Sequence, residues 1–129
     1  MTREPVTLTV LDWEFVTYGA PFFDLGHFAG EAWVKDRMLD PSAREGSASR
    51  LITSSLFNKY RGMGGTIELE RVVPLIAAHI ASSLVTEKWA TNDEEVKDIA
   101  SAALQMVKTL EDGDMTRLKD DSFLNHVLY

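Results

Sequence analysis

Asp12 and Glu14 stand two residues apart at the end of an apolar run, Val6-Thr7-Leu8-Thr9-Val10-Leu11. The alternation of β-branched and apolar residues in that run predicts a strand over 6–11. Side chains two apart on a strand share a face, so the pair sets two hard oxygen ligands side by side at a strand end. That chemistry suits a Mg2+ ion that also holds phosphate oxygens. Acidic residues also end strands simply because the chain is reaching solvent, and the residue types alone leave both readings open. The other reactive groups are scattered. His27, His79 and His126 have no metal-ligand spacing with one another or with acids, and read as core or surface histidines. Ser54, Ser55, Ser82, Ser83 and Ser101 fall in helical patterns, with no Gly-x-Ser-x-Gly turn to expose a nucleophile. The chain has no cysteine, which excludes disulfides, thiolate zinc sites and cysteine nucleophiles.

The elements that must position these groups follow from periodicity. Residues 15–23, with Gly19, Pro21 and the aromatics Phe15, Tyr18, Phe22 and Phe23, read as an ordered loop whose large side chains are buried. Trp13, Phe15, Phe22 and Phe23 are expected to pack a core. Asp24 is placed to cap a helix over about 25–39, with Leu25, Phe28, Ala29, Ala32 and Trp33 on its apolar face. Leu51, Ile52, Ser55, Leu56 and Tyr60 give the period of a second helix, about 48–61, stopped by Gly62, Gly64 and Gly65. A third, about 67–89, carries Leu69, Val72, Val73, Ile76, Ile80, Ser83 and Leu84, with a kink or a start at Pro74. A fourth, about 93–111, is capped by Asn92 with Glu95 closing a capping box. The acidic triplet Asp93-Glu94-Glu95 suits its N-terminal dipole. Val96, Ile99, Ala100, Ala103, Met106, Val107 and Leu110 form its buried stripe, and Gly113 ends it. A short last helix fits 121–128.

The expected fold class is therefore mainly α with an α+β remnant, one N-terminal strand followed by four or five helices, in a single domain spanning 1–129. The 129 residues, 45% hydrophobic and 26% charged, are enough for one core and too few for two full domains. A net charge of −7 repels nucleic-acid phosphates and anionic membranes, so neither is an expected partner. No run approaches the ~20 apolar residues that span a bilayer, and the expected location is cytoplasmic. A lone strand leaves backbone N–H and C=O groups without partners. A homodimer, or another protein chain pairing with strand 6–11, is the expected remedy.

The run Leu11-Asp12-Trp13-Glu14, the loop Gly19-Ala20-Pro21, and then Phe23-Asp24-Leu25-Gly26 resemble the stretch after the catalytic loop in aminoglycoside phosphotransferases and choline kinase-like enzymes. There the stretch opens the helical C-terminal lobe. The resemblance implies that Asp12 binds Mg2+ and orients ATP phosphates, with Glu14 as a second metal or substrate contact. It implies a structural role for Asp24, a buried aspartate at the helix head that hydrogen-bonds the catalytic-loop backbone. The family's His-x-Asp base with its following Asn is not found in the eleven residues before Asp12, and the nucleotide-binding lobe is not found either.

The expectation is thus a non-catalytic, kinase-derived helical domain acting through self-association or partner binding. No catalytic residue and no cofactor-binding residue is assigned, and Mg2+ and ATP enter only if a second lobe completes the site. The alternatives are the C-terminal half of a split or truncated Mg-ATP-dependent phosphotransferase, and a binding module for a cationic small molecule.

Overall fold

The computed structural model describes residues 19–86 and 90–129. In them the chain forms α1 (Pro21–Arg37), α2 (Ala48–Gly62), α3 (Leu69–Thr86), α4 (Asp93–Asp112) and α5 (Ser122–Leu128). Short 3-10 turns cover Pro41–Ala43 and Met115–Asp120. No strand occurs among the described residues, which corrects the expected class: the fold is helical, without the α+β component. The run 6–11 that carried the strand reading, with Asp12 and Glu14 after it, lies outside the described residues. Helices satisfy their backbone donors and acceptors internally, so the described fold has no need of a sheet partner.

Local chemistry sets the helix ends. α1 begins at Pro21, earlier than expected, because proline at the first helical position loses only an N–H that has no partner there. Its N-cap is the extended Ala20, with no side-chain cap, so the reading of Asp24 as the cap is corrected: Asp24 lies inside the first turn. Ser47 caps α2, accepting the Arg50 N–H at 3.3 Å. α3 runs from Leu69 through Pro74 rather than starting there, losing only the bond its imide nitrogen would have given to Glu70. Asn92 caps α4 as expected, its Oδ1 accepting from Glu94 and Glu95 N–H at 3.0 Å each. Glu95 reaches back one residue further than a capping box, to the N–H and hydroxyl of Thr91. Gly113, at φ 72°, ends α4 in the left-handed region that favours glycine. Asp121 caps α5 through Phe123 and Leu124 N–H.

The helices enclose one core in which Trp33, Phe57, Ile76, Ile80, Ile99 and Leu124 are fully buried. α3 presents Val72, Val73, Ile76, Ile80 and Ser83 to it, as its period predicts. α2 does not follow its apolar period. Its buried residues are Arg50, Thr53 and Phe57, while Leu51, Ile52 and Leu56 are exposed. The reason is polar: Arg50 grips the buried Asp36 of α1 through Nε and Nη2 at 3.0 and 2.9 Å, with Ser47 Oγ donating to the same carboxylate at 2.6 Å. That bidentate pair fixes the rotation of α2, and the Leu51–Leu56 face turns outward. Phe23 is also exposed, against the expected aromatic core, while Phe22 packs on the core edge. Trp13 and Phe15 lie outside the described residues.

Candidate functional site between α1 and α3

Two glycines bring α1 and α3 together. A Cβ on Gly26 would stand 2.5 Å from the Leu75 Cβ and 3.1 Å from the Val72 carbonyl oxygen. A Cβ on Gly30 would stand 2.8 Å from the Cβ of His79 and 3.0 Å from its Cδ2. Only the absence of side chains at these two helical positions, one turn apart, lets α3 lie so close. The Gly of the Phe-Asp-Leu-Gly run thus has a packing cause.

That approach gathers groups distant in sequence. His79 seats its ring over Gly30, and its Nε2 lies 3.0 Å from Glu31 Oε2. The His27 ring stands on the His79 ring, centroids 4.2 Å apart and planes tilted by 51°. Lys35 pairs with the other side of Glu31 at 3.0 Å. Phe23, Asp24, His27, Leu75, His79 and Ser82 line the shallow concavity beside this cluster, about 410 Å³ in volume. Partial burial pushes the Glu31 carboxyl up, but hydrogen bonds from His79 and Lys35 outweigh it and hold the group below its usual range. An ionised carboxylate only accepts, so the bond requires a proton on His79 Nε2 and, in the neutral ring, leaves the lone pair on Nδ1. The arrangement can orient an imidazole and hold a proton or a hydrogen-bond donor.

Asp24 is exposed on the first turn of α1, at the rim of this concavity rather than buried. Asp12 and Glu14 lie outside the described residues. Among the described residues no group of three or more His, Cys, Asp or Glu could hold a metal ion. The meeting of His27 with His79 was missed in the sequence, where the two read as unrelated. The spacings Gly26/Gly30 and His27/Glu31, each one turn of one helix, were the available signal.

No protein-family model matches the chain, and neither a curated protein nor a solved structure matches it. Among the described residues no helix is long and apolar enough to cross a membrane.

Proposed function

We propose that this chain is a helical lobe of the aminoglycoside phosphotransferase and choline kinase-like type, that it acts by binding a protein surface, and that it does not transfer phosphate by itself. One observation carries the binding reading: the outward rotation of α2 leaves Leu51 55% and Ile52 58% exposed, with Ile52 sharing a groove with Phe28 of α1, itself 41% exposed. Phe28, Ala32, Ala48, Ile52 and Thr53 line a groove of about 260 Å³ between the two helices, and Leu56 extends the same face one turn on. Large exposed apolar groups gathered in one place mark interaction surfaces more often than solvated ones. In this reading the contact is between helical surfaces, and a second copy of the chain is the first partner to test. A cytoplasmic location belongs to the same reading.

Sedimentation at micromolar concentration tests it. The expected result is a dimer that Ile52→Glu converts to a monomer with unchanged helical circular dichroism. A monomer for the parent chain that captures no second protein through this face overturns it.

A second reading is that the chain supplies the C-terminal half of a Mg-ATP-dependent phosphotransferase, Asp12 and Glu14 holding the metal once a nucleotide-binding lobe is added. It rests on the resemblance of the Leu-Asp-Trp-Glu and Phe-Asp-Leu-Gly runs. Titration of the chain with Mg2+ and ATP, with an Asp12→Ala control, separates the two. ATP-dependent phosphorylation of a small alcohol or amino sugar by the chain alone, lost in Asp12→Ala, overturns the non-catalytic reading.

A further inference from the structure

A second polar concavity, of about 480 Å³, lies on the other side of α2, where the turn before it meets α5. Its lining includes Arg44, Glu45, Arg50, Ser122, Asn125 and His126. It shares no residue with the α1–α3 cluster or the apolar groove.

The guanidinium of Arg50 is the informative group. Its side chain is only 8% exposed. Nε and Nη2 are committed to Asp36, and Nη2 also donates to Ser122 Oγ at 2.8 Å. Among the described residues Nη1 reaches only the Ser122 carbonyl oxygen, at 3.4 Å, the long limit of a hydrogen bond. A guanidinium carries five N–H donors, so a buried nitrogen with this one weak acceptor has donor capacity left over on the concave side. Arg44 lines the same concavity. It donates to the backbone carbonyls of Leu39 and Arg37 at 3.0 and 2.9 Å. No carboxylate among the described residues is within ion-pair distance of it; Asp98, held low first by its bond from Arg37, feels the Arg44 charge only at longer range, and the two backbone carbonyls fix the guanidinium in place. Asn125 and His126, one after the other on α5, complete the wall with an amide and an imidazole. Glu45 is the single carboxylate of the lining, on the exposed turn before α2.

We propose that this concavity is an oxyanion site that takes a phosphate group, free or as a small phosphate monoester, between Arg44 and the Nη1 edge of Arg50, with Asn125 and His126 as further donors. Asp36 already balances the Arg50 charge and Glu45 sits in the lining, so the site acts through directed N–H donors rather than net charge, from two side chains already held in place by bonds to the protein. Preset donors recognise a tetrahedral oxyanion without the ordering cost that free surface lysines carry. The proposal is independent of the α1–α2 groove and of any role for Asp12.

Titration of the whole chain with inorganic phosphate, at constant ionic strength held by chloride and followed by backbone amide NMR, tests it. Expected are saturable shifts confined to residues 44–50 and 122–126. A parallel titration with phosphoethanolamine separates the free anion from a monoester, since the better ligand saturates at lower concentration. Arg44→Ala is expected to weaken binding about tenfold, the effect of losing one charge-assisted donor pair. His126→Gln, which is exposed and makes no core contact, weakens it more modestly, and Glu45→Gln tightens it. Arg71→Ala, at a surface arginine outside the lining of the concavity, leaves it unchanged. Shifts that are linear in phosphate and spread over the surface overturn the proposal. So does a His126→Gln or Arg44→Ala protein that folds and binds as the parent does.

Discussion

Gly26 and Gly30 are helical, so alanine would normally favour them by about 1 kcal/mol of propensity. The 2.5 Å approach of a Gly26 methyl to Leu75 reverses the sign, because overpacking a close helix contact costs about 1–3 kcal/mol. Gly26→Ala is expected to lower stability by about 1–2 kcal/mol in urea unfolding, whereas Gly62→Ala, with nothing within 4 Å of its Cβ, gains a few tenths up to about 1 kcal/mol. Asp36 and Arg50 form a pair with side chains 4% and 8% exposed. Asp36→Ala strands a buried guanidinium and is expected to cost about 3–5 kcal/mol by the same measurement, with Arg50→Met in the same chain recovering part of the loss. Glu31 sets a pH dependence. Its carboxyl is held below the ordinary value of 4.5, so its contribution is full above that pH and drains away as pH falls through the lower folded value. Thermal unfolding between neutral pH and pH 3 is expected to show a flatter decline for Glu31→Gln than for the parent.

At the scale of the helix, α4 is the element whose ends are most firmly written. Asn92→Ala removes the acceptor of two first-turn N–H groups and is expected to cost about 1 kcal/mol. Gly113→Ala, forced to φ 72°, is expected to cost a similar amount, about 1–2 kcal/mol, both read from urea midpoints. These signals are also why α4 was legible in the sequence: an Asx cap, acids in the first turn and a terminal glycine act within one turn and need no knowledge of the rest of the fold. α3 was legible through its continuous apolar period. The start of α1 was not, because Pro21 reads as a breaker unless it is known to sit at the first helical position. The face of α2 was misread for a different reason. Leu51, Ile52, Leu56 and Tyr60 have the right spacing for a core face, but the bidentate grip of Arg50 on Asp36 is a long-range term that apolar counting cannot see. The α1–α3 cluster was hidden likewise, since His27 and His79 meet only after two helices have packed through their glycines. Asp12 and Glu14, the two carboxylates after the 6–11 run, lie outside the described residues.

For the molecule as a whole, the C-terminal residues are part of the core rather than an appendage. Phe123, Leu124, Val127 and Leu128 are each buried to within 4%. Asp121 both caps α5 and accepts the indole N–H of Trp33 at 2.9 Å, tying the last helix to the first. Removal of residues 121–129 is therefore expected to abolish cooperative unfolding, leaving a broad thermal transition and a dye-binding apolar surface. The glycine pair has a mechanical corollary. α1 and α3 run in the same direction, with Gly26 against Leu75 and Gly30 against His79. Were α1 to slip forward or back by one turn, Phe22 or Val34 would have to enter a berth that admits no side chain at all. The two helices are keyed to a single register, and sliding of one along the other is blocked at both ends of the contact.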